Sequence, residues 1–267
     1  MEHLATRRHV VQMCRTMLER GYLKATEGNI SVRVPGHERY AITPSNYDYD
    51  KLTDADVVIM DFAGRPVVGT GDAGLAPSIE AGMHAGIYRR RPDVHAVVHT
   101  HQPYASALAF LRKQIPPLTD EQVRFLGRKV AIIDYAPAGT SLLARRVEKA
   151  VTSNDNAYIM ANHGILALGT DPDRAVFNMA LLEKVSIAYL MALATESGPV
   201  RTIPAPIREI AFAKLRSDEK RIAAQVTKSV PLPEVVAELP SADVGSGGDG
   251  AVVGAAPLVP TSALGGS

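Results

Sequence analysis

Three histidines and one glutamate carry most of the chemical potential of this 267-residue chain. His99 and His101 flank Thr100 directly after the apolar run Ala96-Val97-Val98. On a strand, side chains two positions apart project to one face, so both imidazoles can meet a single ion. His163 sits in Asn162-His163-Gly164 after a second apolar run, Tyr158 to Met160, where Gly164 relieves crowding as the backbone turns. Three neutral imidazoles around a divalent ion keep its full charge and leave coordination positions open. That suits polarisation of a carbonyl or enolate oxygen better than a structural role. Glu80 opens the segment before the first histidine pair, and His84 follows one turn later. A carboxylate beside such an ion can move a proton, although a glutamate in a first turn is also what the helix dipole favours. His3, His9, His37, His84 and His95 read as structural or surface residues.

The elements that must position these groups are legible in outline. Val10, Val11, Met13, Cys14, Met17 and Leu18 recur at helical spacing between Arg7, Arg8, Arg15 and Arg20, predicting an amphipathic helix over Leu4 to Gly21. Alternation over Asn29 to Pro35, the Pro35-Gly36 turn and the run Tyr40 to Thr43 predict a hairpin. A second strand pair is expected from Val57 to Asp61 and Arg65 to Val68. Ser78 is placed to cap a helix from Ile79 to about Arg90, ahead of the strand that carries the histidines. Further helices are expected at Pro103–Phe110, Leu142–Ser153, Asp173–Glu196 and Ile207–Thr227, and further strands at Val130–Asp134 and Tyr158–Met160. Mixed strands and helices give an α/β class without a strand order.

Composition excludes several functions. Lys and Arg total 29 against 28 Asp and Glu, so no global field draws nucleic acid or an anionic membrane, and any anion must be held locally. Tryptophan is absent and aromatics are 5%, which disfavours stacking platforms for single strands. No run of about 18 apolar residues stands out, and Glu2, His3, Arg7 and Arg8 break the N-terminus, so neither a membrane span nor a signal peptide is expected. The single cysteine, Cys14, excludes an internal disulfide and fits a cytoplasmic location. A catalytic domain is expected over 1–230, followed by a Gly-, Pro- and Ser-rich flexible tail over 231–267. The basic positions of Ile207–Thr227 read as a solvated face, with coverage of a neighbouring subunit's pocket as the alternative.

Six segments taken in order carry a resemblance: Glu27-Gly28-Asn29-Ile30-Ser31-Val32-Arg33, Ile42-Thr43-Pro44-Ser45, Asp50-Lys51-Leu52-Thr53, Pro77-Ser78-Ile79-Glu80, His99-Thr100-His101 and Asn162-His163-Gly164. Over roughly Arg7 to Glu196 the chain resembles the class II aldolase/adducin family. The resemblance implies an α/β fold of the α+β type, three-layered, with a central, mainly antiparallel sheet flanked by helices. It also implies assembly as a homotetramer with sites between subunits. It makes His99, His101 and His163 ligands of one divalent ion per subunit, zinc first and manganese, cobalt or iron as alternatives. Glu80 becomes the carboxylate that ligates the ion or moves the proton. Glutamate rather than aspartate at this position is aldolase-like, not epimerase-like.

For substrate binding the resemblance points to Gly28, Asn29, Ser45 and Ser78 as holders of a phosphate. Asn46 stands where glycine is usual and Ile79 where a second serine is usual. Losing one hydroxyl donor to an anion costs about 1.5–3 kcal/mol and makes the pocket narrower and more apolar. Where the family carries a catalytic tyrosine the chain has Asp120, Glu121 and Arg124. Tyr47, Tyr49, Tyr104 and Tyr135 are alternative hydroxyl sources that the sequence does not rank. The expected function is a metal-dependent lyase cleaving a carbon–carbon bond next to a carbonyl through a metal-bound enediolate. The first expectation is an aldolase acting on a sugar, sugar phosphate or related small molecule. A decarboxylase of hydroxylated aromatic or pyridine acids is the main alternative, ahead of an epimerase, dehydratase, oxygenase or non-enzymatic adducin-like module.

Overall fold

The computed structural model describes residues 1–67, 73–195 and 198–228. The expected tail, together with Val68 and Glu196, lies outside the described residues. A seven-stranded sheet is built from β1 (Asn29–Arg33), β2 (Arg39–Ile42), β3 (Val58–Asp61), β4 (Ala96–Thr100), β5 (Ala131–Ile133), β6 (Ala157–Met160) and β7 (Gly164–Gly169). Its order is β3-β2-β1-β4-β7-β6-β5. Every pairing is antiparallel except β5 with β6, so the sheet is mixed, as its one parallel edge requires. The helices are α1 (Leu4–Glu19), α2 (Ala81–Arg90), α3 (Pro103–Phe110), α4 (Asp120–Phe125), α5 (Ser141–Ala150), α6 (Pro172–Ala194) and α7 (Ala205–Lys228).

Strand alternation sorts side chains to two apolar layers. Ile30, Val32, Ala96 and Val98 pack with α1, α3 and α6, while Tyr40, Val97, Leu166 and Leu168 pack with α2 and α5. His99 shares the parity of Val97 and therefore faces the α2 side. Thr100 has the opposite parity and sends its hydroxyl to Met179 Sδ of α6 at 3.4 Å. The same rule puts Ser31 of β1 on the α2 face, where it reaches His84.

The structure corrects several expectations. The predicted strand pair after Val57 is reduced, among the described residues, to β3 and a single bridge between Met60 and Pro66. The helix predicted from Ile79 begins at Ala81, because the Ser78 hydroxyl accepts from the Glu80 amide at 3.3 Å and holds Ile79 and Glu80 in a turn before it. Arg7, read as part of a polar helix face, is fully buried, and its guanidinium donates to the carbonyls of Glu2 and Val57. Helix α6 contains an 18-residue window of mean hydropathy 1.5, long and apolar enough to cross a membrane by length and composition alone. Half of that window is buried, and α6 contributes Val176, Met179, Leu182 and Val185 to the core. Helix α7 is docked by its own chain: Phe212 and Leu215 bury against Val123 of α4, and Arg216 pairs with Asp93 at 2.8 Å.

Candidate metal and catalytic site

The three histidines converge. One ligating atom from each of His99, His101 and His163 lies within 4.8 Å of the others. The ring centroids are 4.9 Å apart for His99 with His101, 4.9 Å for His99 with His163 and 5.5 Å for His101 with His163. His99 is fully buried, and its Nδ1–H donates to the Ile165 carbonyl of β7 at 2.8 Å. That bond fixes the tautomer and leaves Nε2 with a lone pair facing His101 Nε2 at 3.1 Å. Burial lowers the His99 pKa to about 4 and also lowers that of His101, so both rings are neutral near pH 7.

Glu80 completes the cluster. Its Oε2 lies 3.3 Å from His99 Nε2 and its Oε1 3.2 Å from His163 Nε2. Burial opposes ionisation, but the flanking His99 and His163 and a hydrogen bond from Asn29 Nδ2 at 2.8 Å outweigh it. The carboxyl is held well below the ordinary carboxylate range. Oε1 and His163 Nδ1 are buried without a hydrogen-bond partner. A lone-pair-rich, negatively charged pocket with orphaned polar atoms fits a divalent cation, and imidazole with carboxylate is a donor set for zinc and its neighbours.

Two glycines make this packing sterically feasible. A Cβ on Gly164 would stand 2.6 Å from His101 Cδ2, 2.6 Å from the Thr100 carbonyl and 3.1 Å from His99 Cε1. The requirement is therefore the closeness of the imidazoles, not the turn that the sequence suggested. Gly28 has φ 74°, and a Cβ there would meet the His99 carbonyl at 2.4 Å.

A cavity of about 250 Å³ opens over the cluster. Of the residues expected from sequence, Gly28, Asn29, Ser45, Asn46, Ser78, Ile79, Glu80, His101 and His163 line it, and His99 lies buried beneath. Asn46 adopts φ 51°, the left-handed conformation that glycine takes without strain and asparagine tolerates best among the other residues. The exchange at this position thus preserves the loop. Ile79 is 66% exposed at the cavity, so it adds apolar surface there. Among the four candidate tyrosines only Tyr49 lines the cavity, and its hydroxyl donates to the Gly28 carbonyl at 2.7 Å. Tyr104 and Tyr135 are half exposed elsewhere. Asp120, Glu121 and Arg124 belong to the short helix α4. There Glu121 pairs with Lys184 of α6 at 2.8 Å and Arg124 with Asp218 of α7, so this segment does not reach the cavity.

His84, read from sequence as structural, connects directly to this site. Its Nε2 lies 2.6 Å from Asn29 Oδ1 and its Nδ1 2.6 Å from Ser31 Oγ, which in turn lies 2.8 Å from the Tyr88 hydroxyl. Its position four residues after Glu80 on one helical face was the available signal. Asn29 and Ser31 are more than fifty residues away in sequence.

In this layered fold His99 lies on strand β4 with His101 directly after it, His163 follows β6, and the carboxylate comes from the N-terminal end of α2. The family model "Class II Aldolase and Adducin N-terminal domain" matches residues 8–190, and the chain belongs to this family. The L-fuculose phosphate aldolase of Methanococcus maripaludis is 34% identical over 182 residues, covering 68% of this chain and 94% of that one. The L-fuculose phosphate aldolase of Escherichia coli K12 is 31% identical over 201 residues, covering 75% and 90%. A solved structure of L-fuculose 1-phosphate aldolase superposes with a TM-score of 0.72 at 30% identity, covering 79% of this chain and 96% of that one.

Proposed function

We propose that the protein is a divalent-metal-dependent aldolase that cleaves a phosphorylated ketose beside its carbonyl. The carrying observation is the convergence of His99, His101, His163 and Glu80 at the base of a cavity whose wall includes Gly28, Asn29, Ser45 and Ser78. The names of the relatives supply the substrate class. His99, His101 and His163 hold the ion, zinc first, which when bound polarises the substrate carbonyl and takes up charge as the bond breaks. Glu80 moves the proton at the substrate carbon. Its Oε2 is anchored by Asn29, while Oε1 has no hydrogen-bond partner. The Gly28–Asn29 segment, held by Tyr49, and the Ser45 and Ser78 side chains offer neutral donors to an anionic group. The catalytic unit is residues 1–230, working in the cytoplasm as a homotetramer.

The test is cleavage of L-fuculose 1-phosphate by purified protein, with aldehyde release followed before and after chelation and after zinc is restored. Cleavage that is lost on chelation and restored by zinc supports the reading; its absence with metal bound overturns it. Ile79, exposed at the cavity, favours one second reading, decarboxylation of a hydroxylated aromatic acid. Carbon dioxide release from such acids without ketose cleavage would establish that reading instead.

A further inference from the structure

We infer that His84 is a positioning residue for Glu80, acting through Asn29 at the end of a buried hydrogen-bond chain whose donors all point toward the carboxylate. The inference rests on the role of Glu80 proposed above. The far members of the chain are closed to solvent, with Tyr88 1% and Ser31 and His84 0% exposed, while Asn29 and Glu80 meet the cavity at 4% and 6%.

The direction of the chain follows from chemistry at each link. The Asn29 atom 2.8 Å from Glu80 Oε2 is the amide nitrogen, which only donates, and Oδ1 faces His84. An amide oxygen only accepts, so His84 Nε2 carries the proton across the 2.6 Å contact. Burial pushes the His84 pKa down to about 3, leaving a neutral ring whose Nδ1 has only a lone pair. Ser31 therefore donates to Nδ1 at 2.6 Å, and its oxygen accepts from the Tyr88 hydroxyl at 2.8 Å. Tyr88, Ser31, His84 and Asn29 each donate one step closer to Oε2. Aligned donors polarise one another, and each link holds the next in a single orientation.

The consequence falls on Glu80. Anchoring Oε2 holds the carboxylate plane and leaves Oε1, which His163 Nε2 approaches at 3.2 Å, as the oxygen that exchanges a proton. Without His84 the Asn29 amide loses the contact that fixes its rotation, and Glu80 loses its anchor. Ser45 and the Gly28 backbone, which the proposed function assigns to the anionic group, are not links of this chain. Loss of His84 should therefore lower kcat and leave KM nearly unchanged.

Two measurements test this. First, 15N-histidine-labelled, metal-free protein is examined by long-range imidazole NMR. The expected His84 spectrum is the neutral Nε2–H tautomer, and its Nε2–H resonance should shift in Asn29→Ala. An Nδ1–H tautomer, or an Nε2–H resonance indifferent to Asn29→Ala, overturns the inference. Second, zinc-loaded variants are compared on L-fuculose 1-phosphate. His84→Leu should lower kcat about 10- to 100-fold, as loss of such orienting partners does. His84→Gln, whose amide can both donate to Asn29 and accept from Ser31, should recover most of it. In an Asn29→Ala background, His84→Leu should cost less than about twofold. Multiplicative losses in the two backgrounds overturn the inference, because a merely structural role predicts them. Should His84→Leu not fold, Ser31→Ala enters the same cycle with the same two outcomes. If the ketose phosphate is not cleaved, the reading of function fails while the NMR result still decides the chain.

Discussion

Gly164→Ala is a one-carbon change aimed at the metal cluster. The added Cβ would lie 2.6 Å from His101 Cδ2 and 3.1 Å from His99 Cε1, well inside the roughly 3.5–4.0 Å at which carbon atoms rest. It would also lie 2.6 Å from the Thr100 carbonyl, which is fixed by the register of Thr100 against Ile165 in the β4–β7 pair. Turning the rings relieves only their own contacts, and the carbonyl contact also forces the β4–β7 pair apart locally, so the imidazoles are displaced with the strand that carries them, by about 1 Å. Metal ligation tolerates only about 0.2 Å, so zinc affinity should fall about 10- to 100-fold. Overpacking should cost about 1–3 kcal/mol, or roughly 2–12 °C in Tm at 2–4 °C per kcal/mol. The assay is competition for zinc with a chromophoric chelator, together with melting of the metal-free protein. Wild-type zinc affinity would refute the reasoning even if Tm fell, because the strain would then have been absorbed without moving the rings.

Tyr49→Phe removes the donor to the Gly28 carbonyl and should cost about 1–3 kcal/mol, read as a lower urea midpoint; an unchanged midpoint contradicts the bond. Acid should destabilise the protein: His84, with its pKa pushed down to about 3 from an unfolded value near 6.5, is neutral in the native state and charged in the unfolded one between these limits. The unfolded chain then binds more protons, so stability rises with pH through that window, and on the order of 3 kcal/mol is lost from pH 6.5 to 4. His95, lowered to about 4 by burial and by Arg33, acts in the same direction, and a flat stability profile over that range would contradict both. Ending the chain at residue 197 removes the Asn156–Glu219 bond of 2.6 Å and the Arg216–Asp93 pair, and it strips Phe212 and Leu215 from Val123, while Asp93 and Asn156 keep their bonds to Arg91. Burial of each large apolar side chain is worth about 1.5–3 kcal/mol, so a loss of about 3–5 kcal/mol is expected, and an unchanged Tm would show that α7 is not part of the folded unit.

The convergence of three histidines and Glu80 was legible because its signals are local. Two histidines at strand spacing after an apolar run, a third beside a glycine and a glutamate before a helix each needed only a few neighbouring residues. The strand order was not, because β4 pairs with β1 and β7, which lie far away in sequence. Strand β7, Gly164–Gly169, is a short apolar run between glycines that periodicity cannot distinguish from other buried segments. Helix α4 has only six residues, and its charged side chains, which the resemblance puts at the position of a catalytic tyrosine, are engaged by α6 and α7. Asn46, where the resemblance leads one to expect glycine, has a φ of 51°, a backbone requirement that residue type alone does not reveal. The connection of His84 is not legible in the sequence because its partners are supplied by β1, and only tertiary packing brings that strand under α2.

The most direct test of the account is the comparison of wild type and Glu80→Gln for bound metal and for turnover of L-fuculose 1-phosphate in the same preparations. The account predicts one zinc per chain in both proteins, with turnover in Glu80→Gln lower by about 10²- to 10⁴-fold. Retained turnover would remove Glu80 from the chemistry, and wild-type activity without bound metal would contradict the three-histidine site itself.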